Sequence, residues 1–248
     1  MSTLGTGDLI EIFQHTHALA STEYPYTDKF INFPITSKFH LKLNGKNKIL
    51  PLFEVTQNDC LDDCYQLYSQ YSNSKILLIN SASSLRKGGG VTNGKNAQEE
   101  SICRKTNLYL ALEQIDHSLE YPLHNKTKGV YLPNISVFKD ENHQIIPTYN
   151  VDVLNVFSRP RDKIKTEREF ELIYGNIFES IVHVANTYQM DYIVIVPIGC
   201  GAFGHDPEMI AERLKYYINI YKLNTVQKII VSCYTNDQSF DAFEYQLC

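Results

Sequence analysis

Short, unbroken apolar runs alternating with amphipathic stretches constrain this chain more than any other feature. KILLIN (75–80), YIVIVPI (192–198) and KIIVSCY (228–234) are strand-length and apolar almost throughout, as strands buried on both faces are. GVYLPN (129–134) and YNVDVLNVF (149–157) add two more strands, and VFKDENHQII between them reads as a hairpin-like excursion with turn residues at its centre. LDDCYQLYSQY (61–71) predicts a helix, as does the segment from about Gln98 to Leu119. From Phe170, apolar residues recur at 173, 177, 181, 184 and 188, the 3.6-residue period of a long amphipathic helix. PEMIAERLKYYINIY is another helix, with Pro207 and Glu208 as start signals. Strands alternating with helices from residue 60 onward imply an α/β fold in which a parallel or mixed sheet is covered on both faces. Upstream, GDLIEIFQHTHALA (7–20) carries Leu9, Ile10, Phe13 and His17 at helical spacing. PITSKFHLKL and ILPLFEV follow as two strands around the turn NGKNK. The reading is one domain over residues 1–248, with 1–60 as an N-terminal extension packed on it.

Charge and cysteine usage exclude several classes. The net charge is −5 and no strongly basic run occurs, so the footprint of a general nucleic-acid binder is missing. No apolar run approaches a membrane span, and the first residues lack the charged and apolar regions of a secretory signal. Cys60 and Cys64 would share a helix face, either as half of a metal site or as reduced thiols. With no CxxC and no second ligand pair at a fitting spacing, reduced thiols in an intracellular setting are the simpler expectation. A resident cytosolic enzyme, a viral product and an exported effector all stay open. His15 and His17, two apart, suit neither face of a helix.

GCGAFG (199–204) matches the dinucleotide fingerprint G-x-G-x-x-G, yet its place argues against a dehydrogenase. That fingerprint belongs at the first strand-to-helix turn, with an acidic residue about 20 positions on at the end of a second strand. Here too little chain follows Gly204 to complete such a fold, and Asn224 stands at the acidic position, before the next strand. What survives is a strand ending in glycines ahead of a helix start, which offers free N–H groups and a favourable dipole to a phosphate. A tight turn needing glycine for sterics alone is the plainer alternative.

NSASSLRKGGGVTNGKNAQEESICR (80–104) is the most unusual segment. Gly88, Gly89 and Gly90 cost conformational entropy in any regular element, and such a run is kept where a backbone must come close to something. Gln98, Glu99 and Glu100 then open the next helix. Acidic residues at a helix start complement the macrodipole, which by itself would explain them. Two glycine loops at the ends of neighbouring parallel strands, however, mark where open α/β sheets bind ligands. A diphosphate flanked by both loops, with carboxylates at one rim, suits an ADP-ribose-like molecule, and paired carboxylates suit cleavage of a glycosidic bond.

GGGVTNGKNAQEE has the form GGG-x7-QEE and resembles the signature of the poly(ADP-ribose) glycohydrolases. GVYLPNISVFKDENHQIIPTYNVDVLNV, PIGCGAFGHDPEMIA and IFQHTHAL are similar to the central segment, second phosphate loop and leading helix of the family's microbial-type branch. The resemblance implies a macrodomain-like α/β/α sandwich with a central mixed sheet, and hydrolysis of the ribose–ribose O-glycosidic bond of ADP-ribose polymers without metal or cofactor. By position it implies Glu100 as the acid/base and Glu99 as the residue that orients the scissile ribose. Gln98 would support the loop and Asn80 would contact the reacting ribose. Gly88 to Gly90, with Gly199, Cys200, Gly201, Ala202 and Gly204, would hold the diphosphate, and Phe203 would lie against the ligand. The implied partners are ADP-ribose or poly(ADP-ribose) chains on modified proteins, met by a monomer. No membrane and no sequence-specific nucleic acid is implied. Single ADP-ribosyl groups on protein, or ADP-ribose binding without cleavage, are the alternatives. The chain departs from the pattern at Lys87 before the triple glycine, at Ser81, at Phe157-Ser158-Arg159-Pro160 and at His205-Asp206. Lys87 and Arg159 would either add positive charge near the ligand or be solvated. The stretch from Cys233 to Phe243 could cap the adenine-side ribose and so decide between terminal and internal cleavage.

Overall fold

The structure is a computed structural model and describes residues 4–45, 50–115, 121, 123 and 126–248. The strands β1 (Ile31–Pro34), β2 (Leu52–Thr56), β3 (Ile76–Ser81), β4 (Thr127–Lys139), β5 (Ile145–Val156), β6 (Tyr192–Ile195) and β7 (Lys228–Ser232) form a seven-stranded sheet in the order β1-β4-β5-β3-β6-β7-β2. β1, β4 and β5 pair antiparallel, whereas β5, β3, β6, β7 and β2 run parallel, so the sheet is mixed.

The sheet's two faces explain why its central strands are apolar without a break. Ile76 and Leu78 of β3 point to one core, with Val151 and Val153 of β5. Leu77 and Ile79 point to the other, with Leu154, Ile193 and Ile229. The first core is closed by α1 (Thr6–Thr22), α2 (Cys60–Gln70), α3 (Gln98–Cys103) and α4 (Leu108–Glu113), through Phe13, Leu61, Ile102 and Leu112. The second is closed by α5 (Glu167–Thr187), α6 (Pro207–Ile220) and α7 (Asp237–Leu247), through Ile177, Ile181, Leu214 and Phe243. The result is an α/β/α sandwich. Helix starts follow the capping rules: the Asp59, Thr166 and Asp206 side chains accept from Leu61, Glu169 and Glu208 N–H, respectively, with Pro207 in the first turn. No helix among the described residues is long and apolar enough to cross a membrane.

Three expectations are corrected. PITSKFHLKL is not a strand: the chain turns after Pro34, and in the remainder only Leu43 makes an isolated bridge, to Tyr221. Its apolar alternation serves packing instead, with Phe39 stacked on His183 of α5 at 4.3 Å. ILPLFEV forms only the short β2, after Pro51. β1 and β2 lie at opposite edges of the sheet and are not neighbours; most of the NGKNK turn between them lies outside the described residues.

The helix read from Gln98 to Leu119 is two short helices. Residues 104–107 leave the helical path to dock on β4: Phe138 N–H donates to Lys105 O, and the Asn107 side chain accepts from Ser136 N–H at 2.9 Å. Side-chain bonds of this kind compete with helix continuation. Residues 116–119 lie outside the described residues. The tail from Cys233 contains α7, which the sequence reading missed; Asn236 caps it by accepting from Ser239 N–H.

Candidate active site

The end of β3 is exposed to chemistry because its neighbour departs early. β6 pairs with β3 only from Ile76 to Leu78, leaving Ile79 C=O and Ser81 N–H without a strand partner. The Gln98 side chain fills that gap: its Oε1 accepts from Ser81 N–H and its Nε2 donates to Ile79 O, each at 2.9 Å. Gln98 thereby fixes the start of α3 against the strand end, and the next two side chains follow from helix geometry.

Glu99 and Glu100 turn inward and are 3% and 7% exposed. Glu100 reaches back to accept Ala97 N–H at 3.1 Å through Oε2, as a residue three positions into a helix can. Its Oε1 accepts Gly90 N–H at 2.7 Å. Glu99 Oε2 accepts Ser83 N–H at 2.7 Å; its Oε1 is buried, and the Asn80 side chain and Gly88 N–H also bear on the carboxyl. Burial pushes the Glu99 carboxyl up to about 8, with the neighbouring Glu100 adding to the rise and the Ser83 N–H opposing it. The two adjacent buried carboxyls together therefore favour holding a proton into the neutral range.

The triple glycine is the backbone wrapped around these carboxyls. Gly88, Gly89 and Gly90 are buried, and Gly88 and Gly89 adopt left-handed φ values of 61° and 60°. A Cβ on Gly89 would stand 2.5 Å from Glu100 Oε1 and 3.2 Å from Glu99 Oε2. A Cβ on Gly88 would stand 2.6 Å from the Tyr109 ring. Arg104, four residues after Glu100 and 1% exposed, donates to Lys95 O and to the Asn96 side chain, bracing the residues that lead into α3.

The second loop leaves the adjacent parallel strand β6. Gly199 is buried, with Tyr174, His205 and Ser158 around its missing Cβ. Tyr174 Oη donates to Ile198 O at 3.1 Å, Arg161 N–H donates to Phe203 O at 2.9 Å, and His205 Nε2 bonds Arg159 O at 2.6 Å. These contacts tie the loop to the connection between β5 and α5. Cys200 and Phe203 are half-buried, while Gly201, Ala202 and Gly204 are exposed, and a Cβ at Gly201 or Gly204 would meet nothing within 4 Å.

A cleft of about 500 Å³ lies between the two loops, bordered by Ala97 and Gln98 on one side and Pro197 and Gly201 on the other. It extends past Cys60 to Tyr234 at the end of β7, a volume suited to a ligand of nucleotide size. Glu99 and Glu100, which follow Gln98 in α3, do not themselves line it. Residues Cys233 to Asn236 border the cleft, whereas α7 turns away to pack on β2 and α6. Lys105 and Asp59, an ion pair at 3.1 Å, line the same cleft.

Among the residues singled out from sequence, Gln98, Glu99, Glu100 and Gly88 to Gly90 come together with Asn80, which neighbours Glu99. Of these and of the second loop, only Gln98 and Gly201 line the cleft. Lys87 takes up neither expected role: its Nζ donates to Glu113 O and Ile115 O at the end of α4. Arg159 pairs with Glu169 at 2.7 Å. Cys60 and Cys64 are both buried, and burial pushes both thiols up. Sequence reasoning missed Ser83, Arg104 and Asn155, the last bonded to Asn80 at 2.9 Å. Of these only Arg104 had a signal, its spacing of four from Glu100.

The family model for the microbial-type PARG (poly(ADP-ribose) glycohydrolase) catalytic domain matches residues 4–140. The fold is similar to the PARG of Thermomonospora curvata, with a TM-score of 0.76 and 18% identity over 97% of this chain and 99% of that one. The same enzyme bound to the inhibitor ADP-HPD gives a TM-score of 0.73 at 19% identity, with the same coverage. The PARG of Deinococcus radiodurans in complex with ADP-ribose gives 0.67 at 19% identity over 98% of this chain and 90% of that one. Comparison with curated protein sequences gives no match. With its signature residues gathered around the start of α3 and more than half of its length matched, the chain belongs to the microbial-type poly(ADP-ribose) glycohydrolase catalytic-domain family.

Proposed function

We propose that this protein hydrolyses the ribose–ribose O-glycosidic bond of poly(ADP-ribose), with Glu100 as the acid/base and Glu99 as the residue that orients the scissile ribose. Family membership supports the reaction class, and the ligands of the structural relatives, ADP-ribose and ADP-HPD, support ADP-ribose as the unit recognised. The observation that carries the assignment is the buried carboxyl pair held against the Gly88–Gly90 backbone beside a nucleotide-sized cleft.

In this reading the proton that the buried pair holds reaches the leaving ribose oxygen through Glu100 as the glycosidic bond breaks. The resulting carboxylate then takes a proton from the water that attacks the anomeric carbon. Positive charge developing on the sugar ring is stabilised by the adjacent carboxyls. Glu99 accepts from a ribose hydroxyl and so orients the ring. Gly201 to Gly204, whose surroundings are open, present backbone to the diphosphate ahead of α6.

The test is incubation of the purified protein with poly(ADP-ribose) and, separately, with mono-ADP-ribosylated protein, followed by chromatographic identification of what is released. Free ADP-ribose from polymer is the expected product. Release from the mono-modified protein alone would reassign the substrate, and tight ADP-ribose binding without any product would make the protein a reader of the modification.

A further inference from the structure

Two asparagines occupy positions where the sheet is otherwise apolar. On the face covered by α1 to α4, Ile76 and Leu78 precede Asn80 along β3, and Val151 and Val153 precede Asn155 along β5. Asn80 and Asn155 are Cα partners in the parallel register, and both are 0% exposed. Asn80 Nδ2 donates to Asn155 Oδ1 at 2.9 Å. That bond, together with the hydrogen bond of the Asn80 side chain to Glu99, sets how the Asn80 amide faces. Asn80 Oδ1, an acceptor, and Asn155 Nδ2, a donor, stay buried without a partner, and Glu99 Oε1 from α3 is buried on the same face. Leaving buried polar atoms unpaired is a penalty that two apolar side chains would avoid.

We propose that Asn155 is a positioning residue for the reaction: by accepting from Asn80 it holds that amide with its oxygen free, beside Glu99, to receive a hydroxyl of the scissile ribose. The inference rests on the reading that this ribose sits against Glu99 and Glu100. Without the Asn155 acceptor, the Asn80 amide keeps only its hydrogen bond to Glu99 and can turn about it, so the acceptor is no longer held in place.

Asn155→Thr and Asn155→Val separate this role from packing, because the two side chains share a shape and differ in whether an oxygen can accept from Asn80. The expected result is a drop of about tenfold or more in kcat on polymer for Asn155→Val and recovery to within about threefold of wild type for Asn155→Thr, at similar melting temperatures. Equal kcat values for the two variants, whether both near wild type or both depressed, would overturn the proposal. If either variant fails to fold, the smaller pair Asn155→Ser and Asn155→Ala is read in the same way. If the wild-type protein releases nothing from polymer, the glycohydrolase reading fails on its own account. ADP-ribose affinity by calorimetry then decides for Asn155: about a tenfold gap between the Thr and Val variants supports its role, and equal affinities overturn it.

Discussion

The two glycine loops look alike in sequence and do different work. In the triple glycine of GGGVTNGKNAQEE all three residues are buried and two have left-handed φ; Gly90 gives its N–H to Glu100, and the Cβ place at Gly89 is taken by the Glu99 and Glu100 carboxyls. In GCGAFG only Gly199 is enclosed, by Tyr174, His205 and Ser158, while Gly201 and Gly204 face open space. The first loop organises an acid pair; the second offers backbone to whatever enters the cleft. A glycine run at the end of a strand therefore does not announce a phosphate site until what lies against each glycine is known.

The sharpest way to break this division is Glu100→Gln. The amide keeps an oxygen for Gly90 N–H but places an N–H donor near Ala97 N–H, so the helix start loses one bond worth about 1 kcal/mol and the fold is kept. Turnover of polymer is expected to fall by about a thousandfold, with ADP-ribose affinity within about threefold of wild type because the second loop is untouched. Affinity lost in parallel with turnover would mean that the first loop also binds the ligand.

Glu99 gives an effect of similar size on stability. Burial pushes its folded carboxyl up to about 8, well above the ordinary carboxylate range. A raised acid stabilises the fold fully below its unfolded pKa, and the contribution is lost as pH rises from about 4.5 towards 8. The loss integrates to something on the order of 4 kcal/mol for so buried a group. Glu99→Gln removes that loss, so urea unfolding at pH 5 and pH 8.5 is expected to show wild type weakening more than the variant. Parallel behaviour of the two proteins would place Glu99 in water and not in the buried pair.

Gly89→Ala tests the first loop directly. Its Cβ would collide with Glu100 Oε1 at 2.5 Å in a backbone conformation that costs a non-glycine residue about 1 kcal/mol. The expected outcome is a melting temperature lower by several degrees and roughly a hundredfold loss of turnover, since a small displacement of a catalytic group is enough to cost that much. Unchanged kinetics would show that Glu100 is not held by this loop during the reaction.

Much of this was legible in the sequence, and the reasons are particular. KILLIN and YIVIVPI declare strands buried on both faces because no side of them could meet water. The GGG-x7-QEE spacing marks the carboxyl pair because few other arrangements keep three glycines so near two glutamates. The strand misread in PITSKFHLKL followed a real alternation, but Phe39 uses it to stack on His183. The break at Arg104 to Asn107 was hidden because it is caused by β4, which lies distant in sequence and supplies the competing hydrogen bonds. Asn155 gave no local sign, since an asparagine inside an apolar strand acquires meaning only beside Asn80 on the neighbouring strand. Lys87 shows the same limit from the other side: a charge beside a glycine run suggests a ligand, yet it serves the end of α4.

The smallest expected effect sharpens the comparison most, because it separates two glycines of one loop. At Gly201 a Cβ meets nothing within 4 Å and φ lies outside the left-handed region, so Gly201→Ala is expected to leave the melting temperature within about a degree of wild type. Nothing in the folded chain then accounts for glycine at this position, and close approach of a diphosphate does. The added methyl group is expected to weaken ADP-ribose binding about tenfold, the scale on which a pocket rejects one methyl group too many. Gly204 is the control. Its surroundings are equally open, but φ is 68°, so Gly204→Ala is expected to lower stability by about 1 kcal/mol. Calorimetric titration and thermal melting of both variants complete the test: unchanged affinity in Gly201→Ala would make GCGAFG a turn that needs glycine for its own geometry, and the two loops would then differ less than their surroundings suggest.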